Sequence, residues 1–143
     1  MSLSSNLLKV PELSKEDCMF CRPKKKETLA SNGLAMLLTD TYPVVDGHCL
    51  IVPRRHAPTL FDLTPDEMTA IYDLAQQGRI ILTGDDSTIS GFNFGVNAGL
   101  SAGQSVFHCH FHLFPRRDGD QENPRGGVRR IFPDKALYER KTG

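Results

Sequence analysis

The stretch SVFHCHFHLFPRR, residues 105–117, sets His108, His110 and His112 at every second position. The chain has five histidines, so this one stretch holds most of them. Such alternation belongs to a β-strand, whose side chains point to opposite faces in turn. The three imidazoles then share a face, with neighbours about 6–7 Å apart at roughly 3.3 Å per residue. Phe107, Cys109, Phe111 and Leu113 take the other face and are all apolar, so that face packs on a core. The histidine face lines something polar, and Pro115 ends the strand.

The neighbouring segments supply the partners this strand needs. GFNFGVN (residues 91–97) alternates as a strand, and the Gly- and Ser-rich AGLSAGQS turns the chain between the two. GHCLIVP (residues 47–53) is a short apolar strand closed by Pro53. LASNGLAMLLTD (residues 29–40) carries two apolar runs around a turn at Asn32-Gly33. Between them lies LTPDEMTAIYDLAQQGRIILTG, residues 63–84, which reads as a helix. Thr64 is its N-cap, Pro65 takes the first helical position, and Glu67 completes a capping box. Met68, Ile71, Tyr72 and Ala75 follow at helical spacing, and Gly84 is the expected stop. The tail after residue 117 reads as loop with a short final helix. Strands on both sides of one long helix imply an α+β fold with a mainly antiparallel sheet, one long helix and a short accessory helix.

With 143 residues the chain fits one domain, residues 14–143, behind a loose N-terminal arm at residues 1–13. Lys plus Arg number 17 and Asp plus Glu number 17, so a basic nucleic-acid coat is not its business. No apolar run approaches a membrane span, and the first residues lack the pattern of a secretory signal, so the expectation is a cytoplasmic protein. In that compartment four cysteines do not argue for disulfides. Cys49 and Cys109 alternate away from their neighbouring histidines and read as small core residues.

Three imidazoles on one face suit two kinds of chemistry. They can ligate a catalytic metal, as in a metal-dependent hydrolase. Alternatively, one is a nucleophile that carries a phosphoryl or nucleotidyl group while the others position the substrate. The segment before them favours the second: Asn97, Gln104, Ser105 and several glycines make an anion-binding turn, and no carboxylate adjoins the histidines. A nucleotide-binding module with incidental turnover is the third reading. Cys18-x-x-Cys21 reads as a redox pair, as two buried structural cysteines, or as half of a zinc site that needs two more ligands. Among the basic residues, Arg129 in PRGGVRR is positioned to fold back towards the outer phosphates of a long substrate.

The run from His108 to Phe114 resembles the H-φ-H-φ-H-φ-φ pattern of the histidine triad (HIT) superfamily. DTYPVVDGHCLIVPRRH (residues 40–56) resembles its upstream segment, NAGLSAGQSVFHCHFHLFPR its active-site segment, and NPRGGVR a tail found in bacterial members. The resemblance implies a HIT-like fold, usually a homodimer, and an enzyme acting at the α-phosphorus of nucleoside phosphates, with dinucleoside polyphosphates among the candidates. It implies His110 as the nucleophile, with His112 and His48 assisting. Asp40 falls where relatives contact the ribose, and Asn97, Gln104 and Ser105 where they hold the α-phosphate. Relatives with the N-terminal Cys-x-x-Cys bind a structural zinc, which here implies the set Cys18, Cys21, His56 and His108. No cofactor is expected in the chemistry itself.

Overall fold

A computed structural model describes residues 8–141. Five strands form one sheet: β1 (Thr28–Ser31), β2 (Ala35–Thr39), β3 (Cys49–Pro53), β4 (Ile89–Val96) and β5 (Phe111–Arg117). Their order across the sheet is β1-β2-β3-β5-β4, and every pairing is antiparallel. A single long helix, α1 (Pro65–Asp85), packs across one face. The expected α+β architecture is therefore present.

The β1–β2 turn forms where Asn32-Gly33 predicts it. Asn32 Oδ1 accepts the N–H groups of Leu34 and Ala35, so the side chain closes the turn. The helix begins as its sequence predicts. Thr64 accepts from the Glu67 N–H, and Glu67 reaches back to the Thr64 N–H. It does not stop at Gly84 but runs through to Asp85. The tail holds two short 3-10 helices, Gly127–Ile131 and Pro133–Lys135, where a short accessory helix was expected. Part of the expected N-terminal arm lies outside the described residues; within them, the Lys9 carbonyl accepts the Leu100 N–H.

The two faces of the sheet have different coverings. Ala35, Leu37, Cys49, Ile51, Cys109, Phe111 and Leu113 meet Ala70, Ile71 and Leu74 of the helix in the main core. On the opposite face Met36, Leu38, Leu50 and Val52 are covered by Cys18 and Phe20 from the N-terminal segment. Strands β2 and β3 are thus buried on both sides, which is why they read as continuous apolar runs. The histidine strand starts later than its pattern predicts: β5 begins at Phe111, and residues 106–108 bend. The Cys109 N–H leaves the ladder and donates to the Ala57 carbonyl, 2.7 Å away. Pro115 lies inside the strand instead of ending it. Its position is tolerated because β3 pairs with β5 only from Phe111 to Leu113, leaving that flank free of ladder bonds.

Candidate active site

Each histidine of the run has one ring nitrogen committed to a neighbour, and that commitment sets the role of the other nitrogen. His108 Nε2 lies 2.9 Å from the Pro53 carbonyl, which can only accept, so Nε2 carries the hydrogen and the lone pair is on Nδ1. His110 Nδ1 lies 2.9 Å from the His108 carbonyl, so its lone pair is on Nε2. His112 Nδ1 meets His48 Nε2 at 2.9 Å. His48 Nδ1 accepts from the Val44 N–H, so the hydrogen between the two rings belongs to His48. His112 must then carry its own hydrogen on Nε2. Asp40 Oδ2 stands 3.3 Å from His48 Nε2, and Asp40 Oδ1 accepts the Tyr42 N–H.

Burial keeps these rings neutral. It pushes His110 and His48 below the ordinary histidine value, with Asp40 opposing the shift at His48. It pushes His112 down to about 4, and the rings of His110 and His48 add to the effect. A neutral imidazole with its lone pair on Nε2, as at His110, has the chemistry of a nucleophile, and a neutral Nε2–H, as at His112, that of a hydrogen-bond donor. Gly95 lies directly opposite His112 on β4, and a side chain there would meet nothing within 4 Å, so the space over this end of the sheet is open.

A second cluster sits at the other end of the run. His108 Nδ1 is 3.3 Å from Cys18 Sγ, 3.6 Å from Cys21 Sγ and 3.2 Å from His56 Nδ1, while Cys21 Sγ is 3.1 Å from His56 Nδ1. The four donor atoms lie within 4.8 Å of one another. Burial, followed by the neighbouring Cys18 sulfur, pushes the Cys21 thiol up to about 11. The same effect pushes Cys49 to about 11 and Cys109 to about 12, in keeping with inert core residues. Among the described residues, no group of metal-competent side chains contains more than one histidine of the run. One such group holds His108, and the other joins His112 to Asp40 and His48. The three imidazoles therefore do not fall together in one such group.

The remaining expected site residues divide. Ser105 is exposed and Asn97 half-buried on the turn before the run. Gln104 is 3 % exposed and fully engaged: Oε1 accepts the Gly99 N–H, and Nε2 donates to the carbonyls of Pro58 and Val106. Its side chain holds the turn in shape and has no donor left for a phosphate. Arg129 is bound within the tail, donating to the carbonyls of Ala136 and Lys135 and lying 4.5 Å over the Tyr138 ring. No hydrogen bond among the described residues joins it to the histidines. Two aromatic rings that sequence reasoning passed over stand in the site. Phe20 lies 5.1 Å from the His110 ring, and Phe114 is stacked on His112 at 5.4 Å. Phe114 was in view, since it continues the alternation of the histidines; Phe20 becomes visible only once the Cys-x-x-Cys turn is placed against His108.

Residues 22–119 match the HIT domain model. The chain is 36% identical over 111 residues to adenylylsulfatase HINT3 of Arabidopsis thaliana, a match covering 73% of this chain and 54% of the plant protein. It is 33% identical over 100 residues to the bis(5'-adenosyl)-triphosphatase of Dictyostelium discoideum, covering 70% and 66% of the two chains. It thus spans little more than half of the plant relative and about two thirds of the other. Among solved structures, a zinc-bound histidine triad family protein from Mycobacterium smegmatis superposes with a TM-score of 0.69 at 26% identity, covering 77% of this chain and 82% of that one. With the imidazole run, the sheet order and these similarities in agreement, the chain belongs to the HIT family.

Proposed function

We propose that the protein is a nucleotide hydrolase or nucleotidyl transferase that attacks the α-phosphorus of nucleoside polyphosphates through His110, with diadenosine polyphosphates as the leading substrate class. The observation that carries this reading is the hydrogen bond from His110 Nδ1–H to the His108 carbonyl, which leaves the Nε2 pair free. The named activity of the amoebal relative, a bis(5'-adenosyl)-triphosphatase, supports the substrate class, and that of the plant relative, an adenylylsulfatase, supports attack on an adenylyl group more broadly.

In this reading Nε2 of His110 forms a bond to the α-phosphorus as the bond to the leaving phosphate breaks. The ring becomes a cationic phosphoramidate, and its Nδ1–H stays bound to the backbone carbonyl, which stabilises that charge. The Nε2–H of His112 donates to a phosphate oxygen, its orientation set by His48. Asn97 and Ser105 contact the α-phosphate, Gln104 holds their turn, Asp40 combines a ribose contact with the orientation of His48, and Arg129 serves only substrates long enough to reach the tail. Water then cleaves the phosphorus–nitrogen bond, releasing a nucleoside monophosphate and neutral His110.

The reading includes a structural zinc at Cys18, Cys21, His56 and His108. The residues fit it. Zinc–sulfur bonds near 2.3 Å and zinc–nitrogen bonds near 2.0 Å in a tetrahedron put donors about 3.3–3.8 Å apart, and the contacts of 3.1–3.6 Å already approach that spacing. The Pro53 carbonyl orients His108 as an outer partner would. Such a closed site stabilises the fold and takes no part in the chemistry. A homodimer also belongs to the reading, and β4, paired only with β5, offers the sheet edge for it.

The test is incubation with diadenosine tetraphosphate without added metal, repeated with excess inorganic phosphate. AMP plus ATP marks hydrolysis, and ADP appearing with phosphate marks a phosphorylase. His110→Ala should abolish turnover while retaining nucleotide binding; wild-type-like turnover in that variant overturns the assignment.

A further inference from the structure

We propose that Phe20 is a positioning residue for the nucleophile, holding the His110 ring in its attacking orientation from the Cys-x-x-Cys turn. The inference rests on the reading of His110 just given. Phe20 is 6 % exposed, and its ring lies 5.1 Å from that of His110 at 45° and 5.8 Å from that of His108 at 70°. The His112 ring also lies against His110, at 5.2 Å and 66°. Among the described residues the His110 ring has one hydrogen bond, through Nδ1. A ring held by one bond still rocks about the donor–acceptor line, and its free Nε2 sweeps through an arc as it does. Aromatic neighbours restrict that arc, at no cost in polar desolvation.

The origin of Phe20 matters as much as its contact. The turn from Cys18 to Cys21 is closed by the Cys21 N–H on the Cys18 carbonyl. The sulfurs of this turn meet His108, and the ring between them meets His110. Phe20 is also seated among Met36, Leu38, Leu50 and Val52 on the histidine face. One short segment therefore grips two successive histidines of the run, one through metal-competent atoms and one through an aromatic face. A group bound at the cysteines would fix the turn and, with it, the ring that bounds the nucleophile.

A simple core role predicts lost stability with unselective kinetics; a positioning role predicts a loss confined to the chemical step. The full chain carrying Phe20→Leu or Phe20→Ala should lose kcat by about 10- to 100-fold while KM for diadenosine tetraphosphate stays within about twofold. Zinc content per chain should match the unaltered protein. Nitrogen-15 NMR of the imidazoles should show the His110 Nδ1–H exchanging faster in both variants, a readout that needs no turnover and holds even if the protein cleaves no dinucleotide. Raised KM with retained kcat would overturn the proposal in favour of substrate contact. Zinc lost in parallel with activity would reduce Phe20 to part of the metal clasp. Unchanged exchange at His110 would also overturn it.

Discussion

His112 is half-buried at the edge of the site, with one ring nitrogen fixed by His48. Burial first, then the rings of His110 and His48, hold it near 4, against an ordinary value of 6.5, with Asp40 pulling the other way. The unfolded chain takes up a proton at this residue below about pH 6.5, whereas the folded one resists until about pH 4. The unfolded state thus binds more protons in that window, so this contribution to stability is full above pH 6.5 and is lost as pH falls towards 4. Melting temperature measured from pH 7 to 4.5 should fall less steeply for His112→Asn than for the unaltered chain. Equal slopes would show that the acid sensitivity resides elsewhere. At this scale the sequence was informative about which residues matter and uninformative about their hydrogens. Alternation put the imidazoles on one face, but the partners that choose each tautomer are the Pro53 and His108 carbonyls and the Val44 N–H, which have no side-chain signature.

The helix shows how an element can be recognised and its buried face read only in part. Its capping box and length were legible and Ile71 lies in the core, yet Met68 and Tyr72, read at the same helical spacing, are 37 % and 59 % exposed. The buried stripe is Glu67, Ala70, Ile71, Leu74 and Gly78. A glutamate and a glycine disguised that face. Glu67 is buried because Arg55 pairs with both its oxygens and it caps the helix; Gly78 is there because the helix lies close to the sheet. A Cβ at Gly78 would stand 2.9 Å from a Leu113 methyl, with Leu37 methyls at 3.5 Å. Leu113 and Leu37 are both core residues, so neither has free space to move into. Gly84 is the counterpart, inside the same helix with nothing within 4 Å. Helix propensity favours alanine over glycine by about 1 kcal/mol at either position, but overpacking costs about 1–3 kcal/mol at Gly78 alone. Urea denaturation should therefore show Gly84→Ala stabilised and Gly78→Ala destabilised. Effects of the same sign would contradict the close packing. The histidine strand was misjudged for a related reason. Its alternation persists through Cys109, but the backbone there bonds to Ala57, and a ladder partner is not visible in a period.

Across the whole molecule, the sheet is closed on one face by its helix and on the other by a segment with little apolar mass. Cys18 and Phe20 are the buried residues that this segment adds to the second cluster. Such a covering buries little apolar surface of its own, and a zinc held by Cys18, Cys21, His56 and His108, as proposed, would give it a different anchor. If zinc is bound there in the folded state only, free zinc at a thousand times its dissociation constant contributes about 4 kcal/mol. For a domain of this size each kcal/mol shifts the melting temperature by about 2–4 °C, so removal of the ion should lower it by about 8–16 °C. Protein purified without chelator should contain about one zinc per chain, the stoichiometry of a closed Cys2His2 site. After chelation, hydrogen exchange should rise in the Cys-x-x-Cys turn before it rises in α1, because the helix-side core does not depend on the cluster. A protein without zinc whose melting temperature is unmoved by adding it would rule out the anchor. Simultaneous loss of protection in the turn and the helix would mean instead that the ion holds the entire fold, and that the two faces of the sheet do not open separately.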